Sequence, residues 1–201
     1  MRSNRFMAYQ SLRGVFSAGI AIFLAMWMYA LPASSYAQGA EIKTAKLELN
    51  EEGYQLSAEF ELQLAAVHED AIRKGVPVYI EMEVEVSRNR WYWLDERVVR
   101  QTRERRISYS PLTTQFRLAT AGLSQNLAKF DDVKRALSTV RSWQILEKNK
   151  LRPGEKYDVA VRIRLDASQL PKPFQLNVLG TREWDIASSW TRFSIIGGEQ
   201  K

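Results

Sequence analysis

His68 is the single histidine of the chain, and Glu69 and Asp70 follow it directly. An imidazole beside a carboxylate is the pairing that tunes a general base. The alternative is a surface histidine on a polar helix, with no chemistry attached. No nucleophile is marked by a Gly-x-Ser-x-Gly elbow. The chain has no cysteine, which removes thiol catalysis, disulfide exchange and thiolate metal binding. One histidine does not build a His-based zinc site, and the scattered carboxylates lack the Asp-x-Asp-x-Asp-Gly spacing of a calcium loop. The residues therefore predict a protein that is not an enzyme, with no catalytic residue, cofactor or metal site.

Residues suited to binding are more plentiful. Arg97, Arg100, Arg103, Arg105 and Arg106 form a basic run that would attract an anionic surface such as lipid headgroups. The preceding strand sets Glu81, Glu83 and Glu85 on one face, so a charge ladder across an antiparallel pair is the competing explanation. Of the basic run, Arg103 and Arg105 point the same way, so its charge is shared between faces or twisted across an edge, and Arg162 and Arg164 repeat the ladder pattern later. Trp91 and Trp93 alternate around Tyr92, either as a stacking platform for a sugar or peptide or as core packing. Leu170-Pro171-Lys172-Pro173-Phe174 loses two amide donors and is biased to extended geometry, which excludes an ordinary central strand. It reads as a rigid crossover with Leu170 and Phe174 in the core, or as a recognition loop presenting Lys172. The candidate interaction residues are thus Trp91, Trp93, Arg103, Arg105 and Lys172.

The compartment comes from the first 37 residues. Arg2, Arg5 and Arg13 precede an apolar run from Val15 to Leu31, then Pro32 and the small-residue stretch ending Ser35-Tyr36-Ala37. That pattern predicts a secretory signal cleaved before Gln38, with an uncleaved membrane anchor as the alternative. Either reading places residues 38–201 outside the cytoplasm, in the periplasm, where nucleic acid is not an expected partner. The segment carries three of the 29 Lys plus Arg and none of the 23 acidic residues, so the remainder is only slightly basic. Residues 38–201 suit one domain with a sizeable core.

The elements that must position these groups are mostly strands. Tyr54, Leu56, Ala58, Phe60, Leu62 and Leu64 alternate with polar residues, and Asn50-Glu51-Glu52-Gly53 links this strand to a weaker one over 42–49. Helix formers over 65–74 end at Gly75, the residue for a left-handed stop. Alternation resumes with Ile80, Met82, Val84 and Val86, and the run extends towards Leu94. Strands are predicted over 97–109, 115–119, 143–146, 157–165, 175–179 and 190–196, with Arg152-Pro153-Gly154-Glu155 as a type II turn. The spacing of Leu127, Phe130, Val133, Leu137 and Val140 predicts a helix within 124–142, capped by Asp131 or Asp132 and running to about Arg141. Short strands with few helices imply a mainly β fold, an antiparallel immunoglobulin-like sandwich of about eight strands. Phe60, Leu62, Met82, Val84, Val161 and Ile163 are its predicted core.

Three segments resemble the bacterial DUF4390 family: Tyr157 through Arg164-Leu165-Asp166, Leu170 through Gln175, and Trp184 followed by Ser189-Trp190. The resemblance implies an exported protein, some members being labelled proline-rich signal peptide proteins, and supplies no catalytic residue. Gene neighbourhood in the family further implies a membrane sensor histidine kinase of nitrogen-regulation type as partner. Two functions follow as expectations. One is a non-enzymatic periplasmic interaction module. The other is a binder of an envelope glycan, peptide or anionic lipid through its aromatic and arginine surface.

Overall fold

A computed structural model describes residues 39–88, 96–178 and 181–199. Trp91, Trp93 and the segment 1–37 fall outside these residues.

Strands β1 (Ala40–Leu49) and β2 (Tyr54–Leu62) form the first hairpin. Asn50 closes it: its Oδ1 accepts from the amides of Glu52 and Gly53, both at 3.0 Å, and its own amide donates to the Gly53 carbonyl at 2.9 Å. Gly53 has φ +135°, and a Cβ there would lie 2.2 Å from the Leu146 carbonyl oxygen, so no side chain fits. Helix α1 (Ala66–Arg73) follows and ends as expected at Gly75, φ +89°. The Gly75 amide donates to Ile72 and that of Val76 to Ala71, the paired bonds of a Schellman stop.

The remaining strands are β3 (Val78–Arg88), β4 (Glu96–Ser110), β5 (Gln115–Thr120), β6 (Leu123–Leu127), β7 (Thr139–Leu146), β8 (Lys156–Leu165) and β9 (Thr191–Ile196). They form two antiparallel sheets, ordered β1-β2-β7 and β6-β5-β4-β3-β8-β9. The fold is mainly β, as the alternation predicts. All six predicted core residues are at most 8% exposed and join one cluster drawn from both sheets. Met82 lies opposite Ile163, and Val84 opposite Val161, so the period of two carries straight into cross-strand packing.

Three local expectations are corrected. The stretch 124–142 is not one helix: β6 occupies 123–127, helix α2 is Phe130–Leu137, and β7 begins at Thr139. Thr120 pairs with Leu123, so Ala121 and Gly122 form a two-residue hairpin loop with φ of +48° and +83°. Alanine is unusual in that conformation, and the solvated Ser124, Gln125 and Asn126 give β6 no alternation to detect. Asp131 and Asp132 are not caps. Lys129 holds the N-cap position, and the two aspartates sit in the first turn, where the helix dipole favours them.

The third correction concerns the prolines. Lys172–Val178 is helix α3, so Gln175 and its successors are helical rather than extended. The Pro171 carbonyl accepts from Phe174 at 2.8 Å and Gln175 at 3.1 Å, which makes Pro171 the cap and Pro173 the second helical residue. Amides at those positions have no intrahelical acceptor, so their removal costs the helix nothing. Leu170 is buried, Phe174 packs half-buried on the core, and Lys172 is exposed. Among the described residues, no helix is long and apolar enough to cross a membrane.

Candidate functional site

The basic strand β4 divides its side chains between two jobs. Arg103 lies opposite Met82 and Arg105 opposite Ile80, so both arginines share the core-facing side of the sheet and point away from the glutamates. The charge of β4 is thus shared between two faces, Arg97 and Arg100 forming the ladder with the glutamates, and the register shift between Val86 and Ser87 helps set which arginines face them. Strand β7 ends the small sheet, pairing only with β2 among the described residues, so its outer carbonyls need other donors. The β4 side chains supply them. Gln101 Nε2 donates to Ile145 O at 2.7 Å. Arg105 donates to Thr139 O at 2.9 Å, and to Ala136 O and Leu137 O at 3.0 and 3.2 Å, at the carboxyl end of α2. Burial, with Arg103 nearby, pushes the Arg105 guanidinium down to about 10. Arg105 is therefore a structural clamp with its donors committed.

Arg103 is different. Its guanidinium lies 4.7 Å from the ring centre of Trp143, which is 4% exposed, and burial pulls it below the ordinary arginine range. Neither Arg103 nor its neighbour Arg106 has a carboxylate partner among the described residues. Both line a cleft of about 550 Å³ with Thr102, Thr120, Gly122 and Trp143.

On the opposite face of the same sheet the glutamates meet Arg97 and Arg100 from β4 and Arg162 and Arg164 from β8. Glu83 is the centre: Oε2 accepts from Arg100 at 2.7 Å, and Oε1 from Arg162 at 2.8 Å and Arg164 at 3.0 Å. It is only 2% exposed, so this is not the solvated face the sequence suggests. Burial alone would raise its pKa, yet three guanidinium hydrogen bonds hold it below the usual carboxylate range. Arg97 pairs with Glu85 at 2.7 Å, and Arg162 stacks 4.5 Å from the ring centre of Trp190.

His68 is also buried, 1% exposed, which overturns the surface reading. Its Nδ1 accepts from the Ala65 amide at 3.0 Å while Nε2–H donates to Glu183 O at 2.8 Å, and its ring packs 4.8 Å from that of Trp184. Both nitrogens are thus occupied by backbone, and burial lowers the pKa. Lys172 is exposed on α3. Among the described residues no group of three or more His, Asp or Glu is placed to hold a metal ion.

One feature has no signature in the strand pattern. Strand β1 pairs only with β2, and β9 only with β8, among the described residues, and these two free edges flank a groove of about 510 Å³. Ala45, Leu47, Phe193 and Ile195 give it an apolar lining, with Lys46, Glu48, Lys156 and Glu199 around it. Tyr54 closes part of the wall, its hydroxyl accepting from the Gly198 amide at 2.8 Å.

The family model described as a domain of unknown function, DUF4390, matches residues 37–194. The chain belongs to the DUF4390 family. That span contains every strand described except the last two residues of β9, including the β4 clamp and the Glu83 cluster. No curated protein and no solved structure matches the chain. Trp91 and Trp93 lie outside the described residues; of the other candidate positions, Arg103 and Arg105 share one face of β4 and Lys172 is exposed on α3. Trp143 and Arg106, which complete the cleft, were not among those candidates; Arg106 was read only as part of the basic run and Trp143 only as the start of a strand.

Proposed function

We propose that this DUF4390 protein is an exported, non-enzymatic interaction module of the cell envelope, with an immunoglobulin-like sandwich as its scaffold. It takes an extended segment of an envelope or membrane protein in the groove between β1 and β9. The observation that carries this reading is the pair of free strand edges flanking an apolar groove. Unpaired edge amides and carbonyls recognise an extended chain, and apolar lining selects its side chains. A membrane sensor histidine kinase is the partner that the family resemblance implies. Engagement of both ring nitrogens of His68 by backbone supports the non-enzymatic reading.

The test is site-specific photocrosslinking in cells producing the full chain. A crosslinker at Ser194, exposed on β9, should give a discrete adduct that disappears when Ile196, 42% exposed at the groove, is changed to Asp. A crosslinker at Thr113, in the exposed β4–β5 turn, should give none. Adducts from Thr113 but not Ser194 would overturn the groove assignment.

A further inference from the structure

The cleft beside Arg103 has a charge that the protein leaves unmet. Strand β5 ends at Thr120, opposite Arg105, so β4 has no described neighbour on that side from Glu96 to Glu104. The hairpin tip at Gly122 and the indole of Trp143 close this notch into the cleft of about 550 Å³. Arg103 is half-buried within it, its guanidinium carbon 4.7 Å from the centre of the Trp143 ring. The ring restrains the guanidinium while its N–H groups keep no protein acceptor among the described residues, so they are free for a forked contact to two oxygens. Arg106, opposite Tyr79 on the other side of β4, reaches the same cleft at the open strand edge and adds a second cation, and Thr102 and Thr120 also line it. The acidic member of the lining, Glu104, already accepts from Gln169 Nε2.

Partly buried cations without a partner are disfavoured, and the other half-buried arginines among the described residues have one. Arg88, Arg162 and Arg164 hold carboxylates, and Arg105 holds three carbonyls. Arg103 and Arg106 hold neither among the described residues, although Arg103 is positioned by an aromatic ring. We propose that this cleft binds a phosphate group, Arg103 forking onto two of its oxygens and Arg106 balancing the second negative charge. The volume exceeds that of a bare ion, which leaves room for the rest of a molecule that carries the phosphate. Its source is a soluble phosphate ester or the headgroup of an anionic phospholipid, which present the same oxygens. This site is separate from the β1/β9 groove, and loss of one does not entail loss of the other.

The test uses the full chain in two arms. In the first, thermal unfolding is followed as sodium phosphate replaces sodium chloride at constant ionic strength. A ligand that binds only the native state raises the midpoint by mass action. In the second, flotation compares vesicles of phosphatidylglycerol with vesicles of phosphatidylcholine, and because wild type and variants share the basic amino-terminal segment, its contribution cancels between proteins. Wild type should respond in at least one arm, and Arg103→Gln should bind at least about tenfold more weakly in that arm. Arg103→Lys, which keeps the charge and loses the fork, should fall between them. Arg117→Gln removes the same charge from exposed β5 outside the cleft and should behave as wild type. A phosphate response without vesicle preference assigns the site to a soluble ester, and preference for phosphatidylglycerol assigns it to a headgroup. If Arg103→Gln fails to fold, Arg106→Gln, at an exposed position, carries the comparison. No response of wild type in either arm overturns the proposal, as does a response retained in the folded cleft variant or lost equally in Arg117→Gln.

Discussion

Replacing Arg105 with Ala tests whether the clamp between β4, α2 and β7 is structural. The change leaves the carbonyls of Ala136, Leu137 and Thr139 without their donors, at contacts of 3.0, 3.2 and 2.9 Å. Hydrogen bonds to a charged group contribute roughly 1.5 to 3 kcal/mol each in isolation. Water can enter after truncation and reach carbonyls at a helix end, and the desolvation penalty of the guanidinium is relieved, so the three do not add. A net loss of about 3 kcal/mol is expected, which for a domain of this size lowers the melting temperature by about 6 to 12 °C. Arg105→Lys keeps a cation but not the planar fork, and should recover less than half of the loss. Urea unfolding of the full chain, followed by circular dichroism, measures this as a shift in midpoint at constant slope. An Arg105→Ala midpoint within about 0.5 kcal/mol of wild type, the range of ordinary surface changes, would refute the clamp.

Phe60→Ala, at a position 3% exposed in the core shared by both sheets, should cost about 3 to 5 kcal/mol, and an unchanged melting curve would contradict the packing described. His68 titrates below its ordinary value because burial disfavours the imidazolium, so the unfolded chain takes up a proton near pH 6.5 before the native protein does. The stability that His68 contributes is therefore full above about pH 6.5 and declines as pH falls, by up to about 1.4 kcal/mol per unit, and this decline should be absent in His68→Gln and so appear as the difference between the two proteins. Phe174→Ala should destabilise the domain while Lys172→Glu melts as wild type does; equal destabilisation by both would remove the distinction between the packed and exposed faces of α3. Mass spectrometry of envelope-derived protein should find Gln38 at the amino terminus, and a chain beginning at Met1 would favour the anchor instead.

Alternation alone sufficed for β2, β3 and β8, because a strand packed on one face imprints its burial directly on the sequence. Turns that depend on one local bond or one φ value, such as Asn50 to Gly53 and the stop at Gly75, were equally legible. Strand β6 was not, since its residues are solvated and it is held by backbone pairing to β5 through a loop whose Ala121 gives no turn signal. The prolines before Phe174 are compatible with a helix start as much as with an extended crossover, and the packing of Leu170 and Phe174 on the core accompanies the first. Side-chain roles were the least accessible. Whether an arginine faces a glutamate, a carbonyl or an open cleft depends on register and on which strand crosses behind it. One bulge after Val86 and the placement of β7 over β4 gave Arg105 to the helix end, Arg100 to Glu83 and left Arg103 against Trp143. Composition determined that arginines and glutamates would be neighbours in this sheet; only the tertiary structure decided which charges are neutralised and which remain available, because pairing is settled by distances of a few ångströms between residues far apart in the chain.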